Sequence, residues 1–275
     1  MKSAINAWSC PNELDFEGLF RNLSAAGFDG VELNLDHADR SRHSLTLEMT
    51  NAQLTQIRRF SEEYELPVSG ISCSLYGGTP LSSRNSEDRS RARKILDAQL
   101  RFADFLGADG ILIVPGGPTE ERSIRECWDN NQESLLSMKD LITSGSARVG
   151  VENVWNNFFL SPMEMARFID ELNIPHLGAY FDVGNVALFS WPEYWIEILG
   201  KRICKIHIKD FKKTGGNAGH FTHLLEGSIR WNRVMQALKQ TGYDGYLTAE
   251  LSMMPSAPHY LYRITQDAIR EIMAM

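Results

Sequence analysis

The sequence predicts one (β/α)8 TIM barrel of the α/β class, as a single domain over residues 1–275, and three observations carry that expectation. Short apolar runs alternate with amphipathic stretches from one end of the chain to the other. A small phrase recurs as Gly27-Phe28-Asp29-Gly30, Gly107-Ala108-Asp109-Gly110 and Gly242-Tyr243-Asp244-Gly245. Its first glycine suits a helix C-cap and its Asp-Gly pair a turn into a strand. Finally, Glu152, Asp182, His207 and Glu250 stand at the ends of four successive apolar segments, the end at which barrel enzymes carry their chemistry.

The elements follow in order. Strand 2–8 is the apolar opening around Ala4-Ile5-Asn6-Ala7-Trp8, and strands 30–35, 109–114 and 246–250 leave the three repeated phrases. Strands 67–73, 148–152, 178–182 and 203–208 are further short apolar runs, the last three ending in Glu152, Asp182 and His207-Ile208. Helical periodicity covers 12–26, 50–65, 86–106, 120–143, 161–173, 192–200, 230–241 and 258–274. Ser86-Glu87-Asp88 opens the third helix, while Ser161-Pro162-Met163-Glu164 and Trp191-Pro192-Glu193 place proline in a first turn. Near-continuous apolar strands alternating with helices imply a parallel sheet covered on both faces. A doubly wound open sheet fits less well, because the first strand leads into no glycine-rich phosphate loop and the chemical residues come from four strands rather than two. No shift in composition divides the chain.

Composition narrows the function. Hydrophobic residues make up 43% and charged residues 23%, the balance of a globular protein with a packed core. A net charge of −7 and a pI near 5.6 argue against nucleic acid or an anionic membrane surface as the partner, and for a small molecule. Cys10, Cys73, Cys127 and Cys204 form no Cys-x-x-Cys pair and read as free thiols. With no apolar leader and no run of about 20 apolar residues, a cytoplasmic enzyme is expected.

Singly, each of the four polar residues has a plain explanation: a strand-end glutamate caps or faces solvent, Asp182 orders a turn, His207 is a core histidine. Together, at one end of consecutive strands, they make a divalent-cation site. Three carboxylates and one imidazole suit a single Mn²⁺, Mg²⁺ or Co²⁺, with Zn²⁺ open through the imidazole. A divalent ion that chelates a carbonyl and its neighbouring hydroxyl would stabilise an enediolate while a carboxylate moves the proton, which is isomerase or epimerase chemistry.

The segments Glu152-Asn153-Val154-Trp155-Asn156, Tyr180-Phe181-Asp182-Val183-Gly184-Asn185, His207-Ile208-Lys209-Asp210-Phe211 and Gly242 to Leu251 resemble motifs of the sugar phosphate isomerase/epimerase family, the xylose isomerase-like barrels. The resemblance implies that Glu152, Asp182, His207 and Glu250 bind one divalent metal, and that Glu152 and Glu250 exchange the proton at C3 of a ketose from opposite faces. Free-ketose 3-epimerases of this family carry a histidine where this chain has Asn185 and a glutamate where it has Phe158. Gly184-Asn185 is closer to the pentulose-5-phosphate 3-epimerase branch, and Lys212 and Lys213 after the seventh strand could meet a phosphate or simply face solvent in a loop. Leu224-Leu225-Glu226-Gly227 resembles a family motif that would set Glu226 at the pocket mouth; Trp8, Trp155 and Asn185 complete the expected substrate contacts. Aldose–ketose isomerisation and dehydration of the inosose or dehydroshikimate type are the alternatives on the same site. An apurinic-endonuclease-like hydrolase is a more distant one, since Cys73-Ser74, Val114-Pro115 and Asn185 stand where its additional zinc histidines would be, although His220 and His223 could serve a second metal. The family also implies a homo-oligomer, with no contact surface legible in the chain.

Overall fold

The computed structural model describes residues 1–215 and 218–275. Its barrel strands are β1 (Lys2–Asn6), β2 (Gly30–Leu35), β3 (Val68–Cys73), β4 (Gly110–Ile113), β5 (Arg148–Glu152), β6 (Leu177–Asp182), β7 (Ile203–Ile208) and β10 (Tyr246–Ala249). Each pairs in parallel with its sequence neighbours, and β10 closes the ring between β7 and β1. The predicted barrel is therefore the observed one. Leaving β7, the chain turns into an antiparallel hairpin of β8 (Asp210–Gly215) and β9 (Ala218–Thr222), which strand-and-helix alternation did not foretell.

The helices are α1 (Phe16–Ala25), α2 (Asn51–Glu63), α3 (Ser86–Leu106), α4 (Ile124–Ser137), α5 (Lys139–Ser144), α6 (Pro162–Leu172), α7 (Val183–Val186), α8 (Pro192–Leu199), α9 (Trp231–Thr241) and α10 (Pro258–Ala274). Capping residues set their starts. Thr50 and Ser161 close capping boxes with Gln53 and Glu164, and Asn85, one residue ahead of Ser86, accepts from the Glu87 amide. At the three repeated phrases the chain leaves its helix through a left-handed glycine, φ being +82° at Gly27, +74° at Gly107 and +77° at Gly242. The helix expected over 120–143 is two: Ser123 caps α4, and a break falls at Met138, where Arg93 Nη1 takes the Ser137 carbonyl at 2.7 Å.

Side chains on the outer face of the strands pack against the helices; Phe181, for one, stacks on Trp195 of α8 with centroids 6.0 Å apart. The inner face is polar. Lys205 lies near the bottom of the barrel, its Nζ 2.5 Å from both the Ser69 carbonyl and Asp109 Oδ1. Asn6, Glu32, Ser72 and Tyr180 fill the middle, and His207 and Glu152 rise above them. Gly110 and Gly150 make room for this filling, since a Cβ would lie 3.0 Å from Lys205 Cδ and 2.7 Å from Tyr180 Cβ respectively. All four cysteines are free, as expected, and among the described residues no helix is long and apolar enough to cross a membrane.

Candidate active site

Four adjacent strands, in the order β5, β6, β7 and β10, each deliver one acid or imidazole at their C-terminal ends. Glu152 ends β5 and Asp182 ends β6, where it also caps α7 by accepting from the Asn185 amide at 2.8 Å. His207 is paired in register with Asp182, and Glu250 follows β10 with its amide bonded to the Ile208 carbonyl at 3.1 Å. One ligand atom from each of the four residues lies within 4.8 Å of all the others. The sequence's four candidates thus meet, with the two glutamates on the outer strands and Asp182 and His207 between them.

The imidazole presents Nδ1 to this cluster, 3.2 Å from Glu152 Oε1, 3.9 Å from Glu250 Oε2 and 4.0 Å from Asp182 Oδ2. Three carboxylates crowded together in a dry site repel, and the cluster needs positive charge. Lys209 supplies part of it, its Nζ 2.5 Å from both Asp182 Oδ2 and Glu250 Oε2. Burial pushes the Glu152 carboxyl up to about 7. Burial acts on Glu250 too, but the charges of Lys209 and His207 outweigh it and hold that carboxyl below its usual range. Burial would also lower Lys209, yet Asp182 and Glu250 drive it upward. The donor set of three carboxylates and an imidazole nitrogen, all converging, fits a hard or borderline divalent cation.

A cavity of about 450 Å³ opens on the cluster through Glu250 and Lys209, and Trp8, Arg40, Phe221, Thr222, His223, Glu226, Leu251 and Ser252 line the rest. Glu250 keeps 23% of its side chain exposed against 7% for Glu152, so the cavity meets the acid pair from the Glu250 side. Trp8 is braced by Nε1–H donation to Asp36 Oδ2 at 2.9 Å. Phe221 and His223 arrive on the hairpin and the loop after it.

Three expected substrate contacts stand elsewhere. Asn185 is buried, and its amide donates to the Asn153 carbonyl at 3.0 Å; Asn153 in turn bonds both the amide and the carbonyl of Asp182. It therefore braces a ligand residue. Trp155 gives its Nε1–H to the Asn185 carbonyl at 2.6 Å and packs on Phe221 at 4.7 Å, outside the cavity wall. Lys213 lies over the Trp191 ring in a different cleft, with Glu193 and Arg230. Phe158 joins Phe159 and Phe168 in the helix layer, with centroids 4.6 and 5.4 Å away, so position 158 faces packing rather than substrate. Among the described residues neither His220 nor His223 joins the ligand cluster.

Sequence reasoning missed Glu32, Lys209, Arg40 and Asp210 as working residues. Asp210 accepts from the amides of Phe211, Leu225 and Ile229 and from Trp231 Nε1, which ties the Glu226 loop to the hairpin. Gly227 is what lets that loop come so close, since a Cβ there would fall 2.0 Å from Asp210 Oδ1. Lys209 and Asp210 lie in the very motif that yielded His207, and the alternation of polar and apolar residues along Gly30-Val31-Glu32-Leu33-Asn34-Leu35 was a signal for Glu32.

A family profile described as xylose isomerase-like TIM barrel matches residues 20–272, and the chain belongs to that family. Over 231 residues it is 25% identical to a putative L-ribulose-5-phosphate 3-epimerase, SgbU, of Escherichia coli strain K12, covering 82% of this chain and 80% of the relative. A further relative, an uncharacterized protein of Methanocaldococcus jannaschii, is 24% identical over 177 residues, which are 62% of this chain and 59% of that protein. Among solved structures, the 3-keto-D-glucoside 4-epimerase YcjR of E. coli superposes with a TM-score of 0.79 at 17% identity, covering 98% and 99% of the two chains. IolI protein with a bound zinc atom superposes with a TM-score of 0.82 at 13% identity, covering 100% and 98%. Two of these four, SgbU and YcjR, are named as sugar epimerases, a class of isomerase.

Proposed function

We propose that this protein is a divalent-metal-dependent ketose 3-epimerase, with a pentulose 5-phosphate as favoured substrate. The observation that carries the reading is the placement of Glu152 and Glu250 on the two outer strands of a four-strand arc, with His207 and Asp182 between them. A sugar held over the middle of that arc would meet one carboxylate on each side. One takes the proton from the carbon beside the carbonyl, and the other returns one to the opposite face, inverting that centre. A cation bound by Glu152, Asp182, His207 and Glu250, with Mn²⁺, Mg²⁺ or Co²⁺ the favoured identities, would supply Lewis acidity toward the carbonyl.

The rest of the cavity supports a phosphorylated substrate. Arg40 and His223 line it together, away from the Lys209 ammonium that Asp182 and Glu250 hold, and among the described residues His223 Nδ1 is buried without a hydrogen-bond partner. A phosphate is matched by the Arg40 guanidinium and the unpartnered His223 nitrogen, whereas a neutral sugar leaves that edge unused. Trp8 and Phe221 give the sugar apolar walls and keep water from the reacting carbon. The relatives named as L-ribulose-5-phosphate 3-epimerases favour the same substrate class.

Incubating Mn²⁺-loaded protein with matched free and 5-phosphorylated pentuloses tests both halves of the proposal. The expected products are C3 epimers, formed faster from the phosphates, with Arg40→Ala raising KM for the phosphates by about tenfold, the worth of about 1.4 kcal/mol. An aldose product would convert the reading to aldose–ketose isomerisation, and loss of water to dehydration. Equal rates on free and phosphorylated sugars would remove the phosphate assignment.

A further inference from the structure

We infer that Glu32 is a positioning residue that fixes how His207 is presented to the divalent-cation site, an inference that rests on the metal-site reading above. Glu32 lies on β2, across the barrel from His207, and is wholly buried. A carboxylate in such a place is costly unless it is fully hydrogen-bonded. It is: Oε2 lies 2.6 Å from His207 Nε2 and 2.8 Å from Asn6 Nδ2, and Oε1 accepts from the Tyr180 hydroxyl. Gly70 keeps the space open, since a Cβ there would lie 3.3 Å from Glu32 Oε1 and 3.4 Å from the Tyr180 hydroxyl.

This arrangement decides the tautomer of the ring. A carboxylate offers acceptors only, so Nε2 must carry the proton that Glu32 receives. With a cation in the cluster the ring's lone pair would then belong to Nδ1, the nitrogen that faces Glu152, Glu250 and Asp182, whereas without one Nδ1 donates to Glu152 Oε1 at 3.2 Å; Glu32 holds the proton on Nε2 in both cases. Tyr180, whose ring centroid is 4.6 Å from that of His207, packs against the imidazole and resists its rotation. Glu32 thereby does two things without touching the site: it aims the lone pair, and its charge makes Nδ1 a stronger donor.

The test measures Mn²⁺ affinity by calorimetry for the wild type, Glu32→Gln and Tyr180→Phe, together with thermal unfolding of the metal-free proteins and ¹⁵N spectra of His207 in the Mg²⁺-loaded wild type. Glu32→Gln keeps the shape and removes the charge, and the expected result is an affinity about 10- to 100-fold weaker. Tyr180→Phe is expected to weaken it by a smaller factor, and Nε2 of the wild type to bear the ring proton. Unchanged Mn²⁺ affinity in Glu32→Gln, even with a lowered melting temperature, would reduce Glu32 to a core counter-charge and overturn the inference. So would a wild-type spectrum with the proton on Nδ1, which decides the matter even if Glu32→Gln fails to fold. A wild type that binds no Mn²⁺ would sink the metal-site reading itself, a different failure.

Discussion

Two layers of the same barrel handle buried negative charge in opposite ways. In the upper layer Glu152, Asp182 and Glu250 crowd one another, and the Lys209 ammonium bonds only Asp182 and Glu250. In the layer beneath, Glu32 stands alone and takes bonds from His207, Asn6 and Tyr180. A satisfied carboxylate is a structural fixture, while a crowd of carboxylates with too few partners is a receptor for a cation. The difference separates the residues that would touch substrate and metal from those that hold them in place.

Substitutions in the upper layer should have the largest effects. Glu152→Gln and Glu250→Gln are each expected to lower kcat by about 10²- to 10⁴-fold with the fold intact by circular dichroism, since each removes one proton-transfer group. Removing metal is next: chelation is expected to abolish turnover, and Mn²⁺ at about 100 times its Kd to stabilise the protein by about 2.7 kcal/mol in thermal unfolding. An apoprotein already at the melting temperature of the Mn²⁺-treated sample would contradict the cation-receptor view of this layer. The rim should respond more mildly. Asp210→Ala unties the Glu226 loop and is expected to raise KM more than it lowers kcat, with new protease sensitivity between residues 223 and 229. Least affected are groups outside both layers. Burial pushes the Cys10 and Cys73 thiols up to about 12 and Cys204 up to about 11, so the native protein at pH 8 should resist thiol reagents that label all four cysteines after unfolding.

The same contrast explains what could be read from the chain. The barrel was legible because its signals are local: left-handed glycines at Gly27, Gly107 and Gly242, capping boxes at Thr50 and Ser161, and apolar strands between them. The upper layer was legible because its residues end consecutive strands, so sequence order alone predicts that they meet. The layer beneath was not, since Glu32 and His207 are 175 residues apart and join only across the closed barrel. Asn185, Trp155 and Lys213 show the limit from the other side. Each lies beside a site motif in sequence, yet their side chains meet Asn153, Phe221 and Trp191 instead. The cationic edge came from a place no motif marked, Arg40 in the loop after β2.

Deuterium exchange tests the central claim most directly. Mn²⁺-loaded wild type, Glu152→Gln and Glu250→Gln would be incubated in D₂O with pentulose 5-phosphates and followed by NMR at C3. Solvent deuterium appearing at C3 with the wild type, and no epimer formed by either variant, is the result expected of two glutamates working from opposite flanks. Full epimerisation by either variant, or a Mn²⁺-bound wild type that exchanges no carbon-bound proton, would contradict it.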